Sequence, residues 1–333
     1  MRENRDPLSL QFRRCDFAVR RCRRISFRCD PSEQLVPPRK SNIKISIVGP
    51  GKVGTTLALA LKQRGHTVVS VVGRSKPNAR RCAGLVSCER YGNRMSDIDP
   101  RTNLIIVATP DSAIRSVAEE LALSSSLDLR TVTAFHVSGV FTSDALSPLA
   151  KRGVLCFSLH PIQTFSETQT PAARVASLKG ISYGFEGNDR AQKLARRLVK
   201  ELGGTLRVVP KERKILYHTA CVFASNYLLT AIDAAETIGK ELRWKTPGPF
   251  GPLIGQTVAN ARKRGSADVL TGPIARGEVE TVKAHLEQLR SRYPELLPLY
   301  RALGLRTVEI AERKKPSLRK ELSLIRTILI RRR

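Results

Sequence analysis

Short apolar runs alternate with amphipathic stretches through the first two thirds of the chain, and helical periodicity takes over after that. The first run covers residues 43–48 (IKISIV), is rich in β-branched side chains, and flows into Gly49, Gly51 and Gly54. Residues 55–61 then read as an amphipathic helix. Runs of the same kind recur at 67–72 (TVVSVV), 103–108 (NLIIVA), 131–135 (TVTAF), 154–159 (VLCFSL), 181–185 and 205–209. Between them lie helical patterns, one opened by a Ser112 cap and another at about residues 190–202. Buried strands separated by crossover helices predict an α/β fold, a doubly wound, mostly parallel Rossmann sheet of about six to eight strands.

From about residue 211 the pattern is helical. Residues 212–240 form a long, mostly apolar stretch with no Gly or Pro before Gly239. At about 100° per residue, Lys214, His218 and Ser225 share a face, with Asn226 about 120° round from Lys214. Polar groups on so apolar a helix need partners, either inside a bundle or at a site. Further helices are expected at 252–263, 279–291 and 295–313. A turn-rich loop at 271–278 has Arg276 at its centre, suited to an anion contact or a helix-capping turn. An all-helical C-terminal domain is therefore expected to follow the sheet. The divisions are 1–41 as a disordered basic leader, 42–210 as the NADP-binding Rossmann-like domain, 211–313 as the helical domain and 314–333 as a basic tail, which reads as a short amphipathic basic helix or a frayed end before it reads as a membrane-surface anchor.

The glycine turn carries the first chemistry. A strand, a tight turn at Gly49, a glycine at 51 that admits a pyrophosphate, and Gly54 where helix meets strand make a dinucleotide cradle, with Lys52 and Val53 opening the helix. A plain structural turn is the alternative. About 20 residues on, where an acid would bond the adenosine ribose, the chain reads Gly73-Arg74-Ser75-Lys76. Arg74 and Ser75 suit a 2′-phosphate, which favours NADP over NAD; an exposed basic turn is the bland reading. Thr109 and Pro110 follow a strand, at the ligand-facing end of the sheet. Two successive strands run into histidines, one leading to Ser138 and the other ending at His160-Pro161. A satisfied core histidine is the competing reading of each.

Charge complicates this picture. The 333 residues carry 58 basic and 29 acidic side chains, a formal net charge of +29. Residues 1–41 and 312–333 are disproportionately basic, but the rest is basic too. Nucleic-acid binding is disfavoured by the 5% aromatic content and the scatter of basic residues. The seven cysteines fit no zinc template, so no metal is expected, and their odd, scattered placement suits a reduced, cytoplasmic chain. No apolar run approaches the ~20 residues of a membrane span, and none is expected.

The order of VGPGKVG, VATPDSAI, HVSG, SLHPIQTF, KILYHTACVFASNYL and LTGPIARGEVETV resembles a largely uncharacterised bacterial family with a Rossmann-like N-terminal domain and a helical domain of unknown function. The wider superfamily it is similar to includes 6-phosphogluconate and 3-hydroxyisobutyrate dehydrogenases, pyrroline-5-carboxylate reductase and prephenate dehydrogenase. The resemblance implies that Ser138 and His160 meet the substrate, as in the prephenate enzymes. It implies a catalytic acid–base role for Lys214, as in the hydroxyacid enzymes, with His218 where those enzymes carry an asparagine and Asn226 a source of an amide. Thr109-Pro110 resembles the nicotinamide-side loop. A homodimer through the helical domain is likewise implied. The expected activity is hydride transfer between NADPH and a small carbonyl or imine substrate. A non-catalytic NADP-binding sensor or assembly protein is the alternative, and nucleic-acid binding through the basic termini is a third.

Overall fold

A computed structural model describes residues 42–244 and 248–331. The leader expected over 1–41, with Cys15, Cys22 and Cys29, lies outside the described residues.

Eight strands form one sheet: β1 (Lys44–Val48), β2 (Thr67–Val72), β3 (Tyr91–Gly92), β4 (Leu104–Val107), β5 (Thr133–His136), β6 (Leu155–Pro161), β7 (Ser182–Glu186) and β8 (Thr205–Val208). Their spatial order is β3-β2-β1-β4-β5-β6-β7-β8. Every pairing is parallel except β6 with β7, which is antiparallel. The chain winds outward from β1 to β3 and then crosses back to β4. The β1–β4 boundary is therefore the switch point, and a crevice opens beyond the carboxyl ends of these two strands.

Helices α1 (Lys52–Gln63), α2 (Lys76–Val86), α3 (Ile114–Ala122), α4 (Ser147–Ala150), α5 (Pro171–Ala176) and α6 (Asp189–Glu201) accompany the sheet. Strand alternation divides the apolar residues between two cores. Ile45, Ile47, Leu104 and Ile106 meet Leu57 and Leu61 of α1 and Ala79 of α2. Val48, Ile105 and Val107 meet Ile114 and Ala118 of α3 and Leu149 of α4. With both faces covered, the strands read as continuous apolar runs. The two-residue β3 is too short to leave such a run. At β6 the strand continues through His160 and Pro161, which pair with Gly184 and Tyr183 of β7. His160 is therefore held within the sheet instead of following it.

The long apolar stretch is two helices, α7 (Lys214–Ala224) and α8 (Asn226–Glu241), broken at Ser225 (φ −132°, ψ −68°). Its amide bonds the Val222 carbonyl three residues back, which tightens and ends α7. Taken whole, Lys211–Glu241 is long and apolar enough to cross a bilayer by length and composition, and its most apolar part is not buried. The sequence shows no uninterrupted apolar run of that length because polar residues interrupt every run, while the average over the segment still reaches that of a span.

Then follow α9 (Gly251–Arg264), α10 (Ser266–Val269), α11 (Pro273–Arg276), α12 (Val279–Arg292), α13 (Leu297–Lys314) and α14 (Arg319–Ile330). A third core joins Val282 and Leu286 of α12, Val308 of α13 and Leu322, Ile325 and Leu329 of α14. Of the two readings of the basic tail, the structure has the amphipathic helix, packed and not frayed. Its three core residues lie on one face, a stripe hidden in the sequence by the surrounding arginines and lysines. Arg276 pairs with Glu278, Nε to Oε1 at 2.6 Å, and Gly277, at φ +71°, caps α11 through its amide.

Candidate functional site

The turn between β1 and α1 is built by steric necessity. Gly49 has φ +94°, and a Cβ there would stand 2.6 Å from the Ala108 carbonyl. A Cβ on Gly54 would stand 2.2 Å from the Gly49 oxygen, so only glycine lets helix and strand approach this closely. Gly51, in contrast, meets nothing within 4 Å. It is the N-cap of α1 and makes no side-chain capping bond, and no acid stands in the first turn. The positive end of α1 is therefore free to receive an anion. Lys52 and Val53 open the helix, and Lys52 Nζ lies 2.8 Å from exposed Glu167.

Two cavities flank this turn. The first, about 630 Å³, runs from Gly49 along the end of β2 to Arg74, Ser75, Asn78 and Asn93. Ser75 caps α2, its Oγ accepting from the Asn78 amide at 3.3 Å, and α2 too has no acid in its first turn. The second, about 530 Å³, extends from Lys52 and Val53 to Asp111, Ser138, His160 and His218. Ala108, Thr109 and Pro110 line both, so the two adjoin along a trough across the switch point. Thr109 Oγ1 is buried there without a hydrogen-bond partner among the described residues.

At the far end, α7 lays its first turns against the sheet. His218 lines the second cavity, and its ring lies 6.1 Å from that of His160. A Cβ on Gly139 would strike both rings, so this glycine makes room for the pair. Ser138 is buried, and its Oγ accepts from the amides of Val140 and Phe141 at 3.1 and 3.0 Å. The hydroxyl proton is thus free to donate. His160 Nδ1 sits 2.7 Å from the Tyr217 hydroxyl. Burial, and then the Lys214 charge and His218, push the His160 pKa down to about 4, so its ring is neutral near pH 7.

Lys214 stands apart from the cavity. It is 1% exposed, and its Nζ donates to Ser158 Oγ at 2.7 Å. Burial lowers its pKa to about 8, against the opposing pull of the Glu186 and Asp111 carboxylates. Asn226 begins α8 beyond the break, where its exposed amide accepts from Ser225 Oγ at 3.2 Å and does not line the trough. The break rotates it away from the face that Lys214 and His218 share. His136, wholly buried, bonds the Thr142 carbonyl and the Ser138 amide and so fixes the loop that carries Ser138.

Sequence reasoning passed over Asp111, Asn78, Asn93, Ser158 and Tyr217. Asp111 was visible directly after Thr109-Pro110, and Tyr217 beside His218. The Tyr217–His160 contact joins residues far apart in the chain, and no local pattern announces it.

Residues 29–161 match a family model described as a Rossmann-like domain. Residues 181–307 match that of a domain of unknown function, DUF2520. The second match starts one residue before β7, where the strand direction reverses. The fold is shared with solved structures. BF3122 of Bacteroides fragilis, provisionally named an NADP oxidoreductase, is 23% identical, with 81% of this chain and 98% of that one covered and a TM-score of 0.67. TM1727 of Thermotoga maritima is 24% identical, covering 81% and 99%, with a TM-score of 0.63. A reductive aminase of Aspergillus terreus, solved with NADPH and ethyl levulinate, is 17% identical, covering 86% and 99%, with a TM-score of 0.56. No protein of curated function matches the chain in sequence.

Proposed function

We propose that this chain, a Rossmann-like domain followed by a DUF2520 domain, is an NADP-dependent oxidoreductase that transfers a hydride between NADPH and a small carbonyl or imine substrate. The observation that carries this reading is the trough across the switch point. One end offers Arg74 and Ser75, and the other a histidine pair and Ser138. The residues present fit the cofactor. The Gly49–Gly54 turn leaves open space where a pyrophosphate would lie, and the unpartnered Thr109 Oγ1 offers a hydrogen bond beside the cavity shared by both halves. Arg74 and the acid-free start of α2 suit a 2′-phosphate. The names of the Bacteroides and Aspergillus proteins point the same way.

A bound nicotinamide would supply or accept the hydride. This chain's residues would orient the other reactant and handle its proton. Ser138 Oγ–H and His160 donate hydrogen bonds to the substrate oxygen or nitrogen. His218, on the cavity wall, passes the proton. Lys214, sealed behind Ser158, acts through its charge on the histidines rather than by contact.

Calorimetric titration with NADPH and NADH tests the first half. NADPH binding more tightly supports it, and preference for NADH overturns the role given to Arg74. A screen of keto acids and imines with wild type, His218→Ala and Lys214→Ala tests the second. NADPH binding with no turnover on any of them would move the reading to a sensor.

The exposed apolar side of α7 and α8 calls for a cover, and we assign it to a second copy of this chain. Ile215 is 70%, Leu216 69%, Phe223 64% and Leu229 64% exposed. The second cavity is lined by the sheet half and α7 alone, with no residue from α10–α14. A partner seated on this side would both bury the apolar face and close the cavity.

A further inference from the structure

We propose that Tyr217 is a positioning residue: its phenol donates to His160 Nδ1 and thereby fixes His160 as the Nε2–H tautomer, a neutral hydrogen-bond donor at the cavity. This deepens the reading of the site given above, because it fixes what the substrate must offer, a lone pair on oxygen or nitrogen, and excludes His160 as a general base.

The geometry specifies the arrangement. The phenol oxygen lies 2.7 Å from His160 Nδ1, and the two rings meet edge to face at 85° with centroids 5.8 Å apart. Tyr217 is seated in a notch that only a glycine provides, since a Cβ on Gly184 would stand 2.3 Å from its hydroxyl. Gly184 pairs with His160 across β6 and β7, so the notch and the histidine are in fixed register. The other ring nitrogen, Nε2, lies beside Gly139, a residue of the cavity wall, and makes no hydrogen bond among the described residues.

Two proton arrangements fit a 2.7 Å contact. In one the phenol donates to Nδ1. In the other Nδ1–H donates to the phenol, which must turn its proton elsewhere, and the side chain it can turn toward is Cys221, one helical turn on. Imidazole nitrogen is a much better acceptor than a thiol sulfur, and the thiol can give its own proton to the phenol oxygen. Burial holds both the phenol and the thiol in their protonated forms. The phenol's donation to Nδ1 satisfies both groups at 2.7 Å and leaves the ring proton on Nε2.

The test is the imidazole nitrogen spectrum of the free protein labelled with ¹⁵N-histidine, with the His160 signals identified through His160→Gln. The expected result is a single neutral Nε2–H tautomer from about pH 8 to about pH 5. Tyr217→Phe should show both tautomers and titrate at higher pH, since a donor that favours the neutral ring is lost. Cys221→Ala should leave the tautomer unchanged. An Nδ1–H tautomer in the wild type overturns the proposal whatever the variants do. So does a tautomer that switches in Cys221→Ala, or one that persists unaltered in a folded Tyr217→Phe. The measurement needs neither cofactor nor substrate. Failure to bind NADPH would therefore refute the oxidoreductase reading without touching the tautomer result.

Discussion

Gly51 and Gly54 stand three residues apart in one turn, yet a methyl group would have opposite consequences at the two. At Gly54 it would meet the Gly49 carbonyl at 2.2 Å, so Gly54→Ala should lose about 1–3 kcal/mol in denaturant titration. At Gly51 it would meet nothing, and φ is an ordinary −75°. Gly51→Ala should therefore melt like wild type while binding NADPH about tenfold more weakly, about 1.4 kcal/mol. Equal affinities would show that the pyrophosphate does not lie there. Lys214 gives a pH prediction. Its pKa is about 8 folded against 10.5 for the free side chain. Between these values the unfolded chain holds more protons, so this lysine makes stability rise with pH across that window, and its cost is present in full below pH 8. Lys214→Met lacks the contribution. Its stability relative to wild type should fall by up to about 3 kcal/mol between pH 8 and 10.5, and parallel profiles would show the lysine to be unperturbed. The glycine spacing and the position of His160 in the last residues of β6 were legible in the sequence because turn chemistry and apolar runs are local. The separation of Lys214 from the cavity was not. A helical wheel gives a face, but it does not say that Ser158 waits under the first turn.

Strands and helices differ in how plainly they announced themselves. β1, β2, β4 and β5 are buried on both faces and so write themselves as apolar runs. β6 hid its extent because Pro161 reads as a terminator, although its antiparallel partner β7 accepts it. The break at Ser225 has no Gly or Pro to mark it, and it decides that Asn226 leaves the site. At α14, nine of the last 22 residues are basic, and this composition concealed Leu322, Ile325 and Leu329, each nearly or wholly buried. The helix is consequently part of the bundle core, not an appendage. Ile325→Ala should cost about 2–4 kcal/mol in chemical denaturation, because a fully enclosed side chain leaves a cavity. NADPH affinity should stay at the wild-type value, since the trough is lined by other elements. A loss below about 0.5 kcal/mol would mean that α14 is frayed after all.

For the molecule as a whole, the arrangement of apolar surface matters more than the net charge of +29. The three cores bury β1, β2 and β4–β7 and one side of α11–α14, but α7, α8 and α9 keep Phe223, Tyr227, Leu229 and Leu253 in water. Such a surface must be covered by another copy, a lipid bilayer or some other protein. Asp233 and Glu236 lie within α8, and burying ionised carboxylates in hydrocarbon is costly, which weighs against the bilayer. A second copy brings matching apolar helices and can close the cavity that one chain leaves open toward α7. Light scattering should therefore give about twice 36.9 kDa for the full chain. Phe223→Arg with Leu229→Arg should give a single-chain mass. The glycine cradle and Arg74 lie wholly within the sheet half, so this double variant should still bind NADPH. It should lose turnover, because the cavity at His218 then stays open to water. A wild-type protein that is monomeric in solution and floats with phospholipid vesicles would instead assign the same helices to a membrane surface.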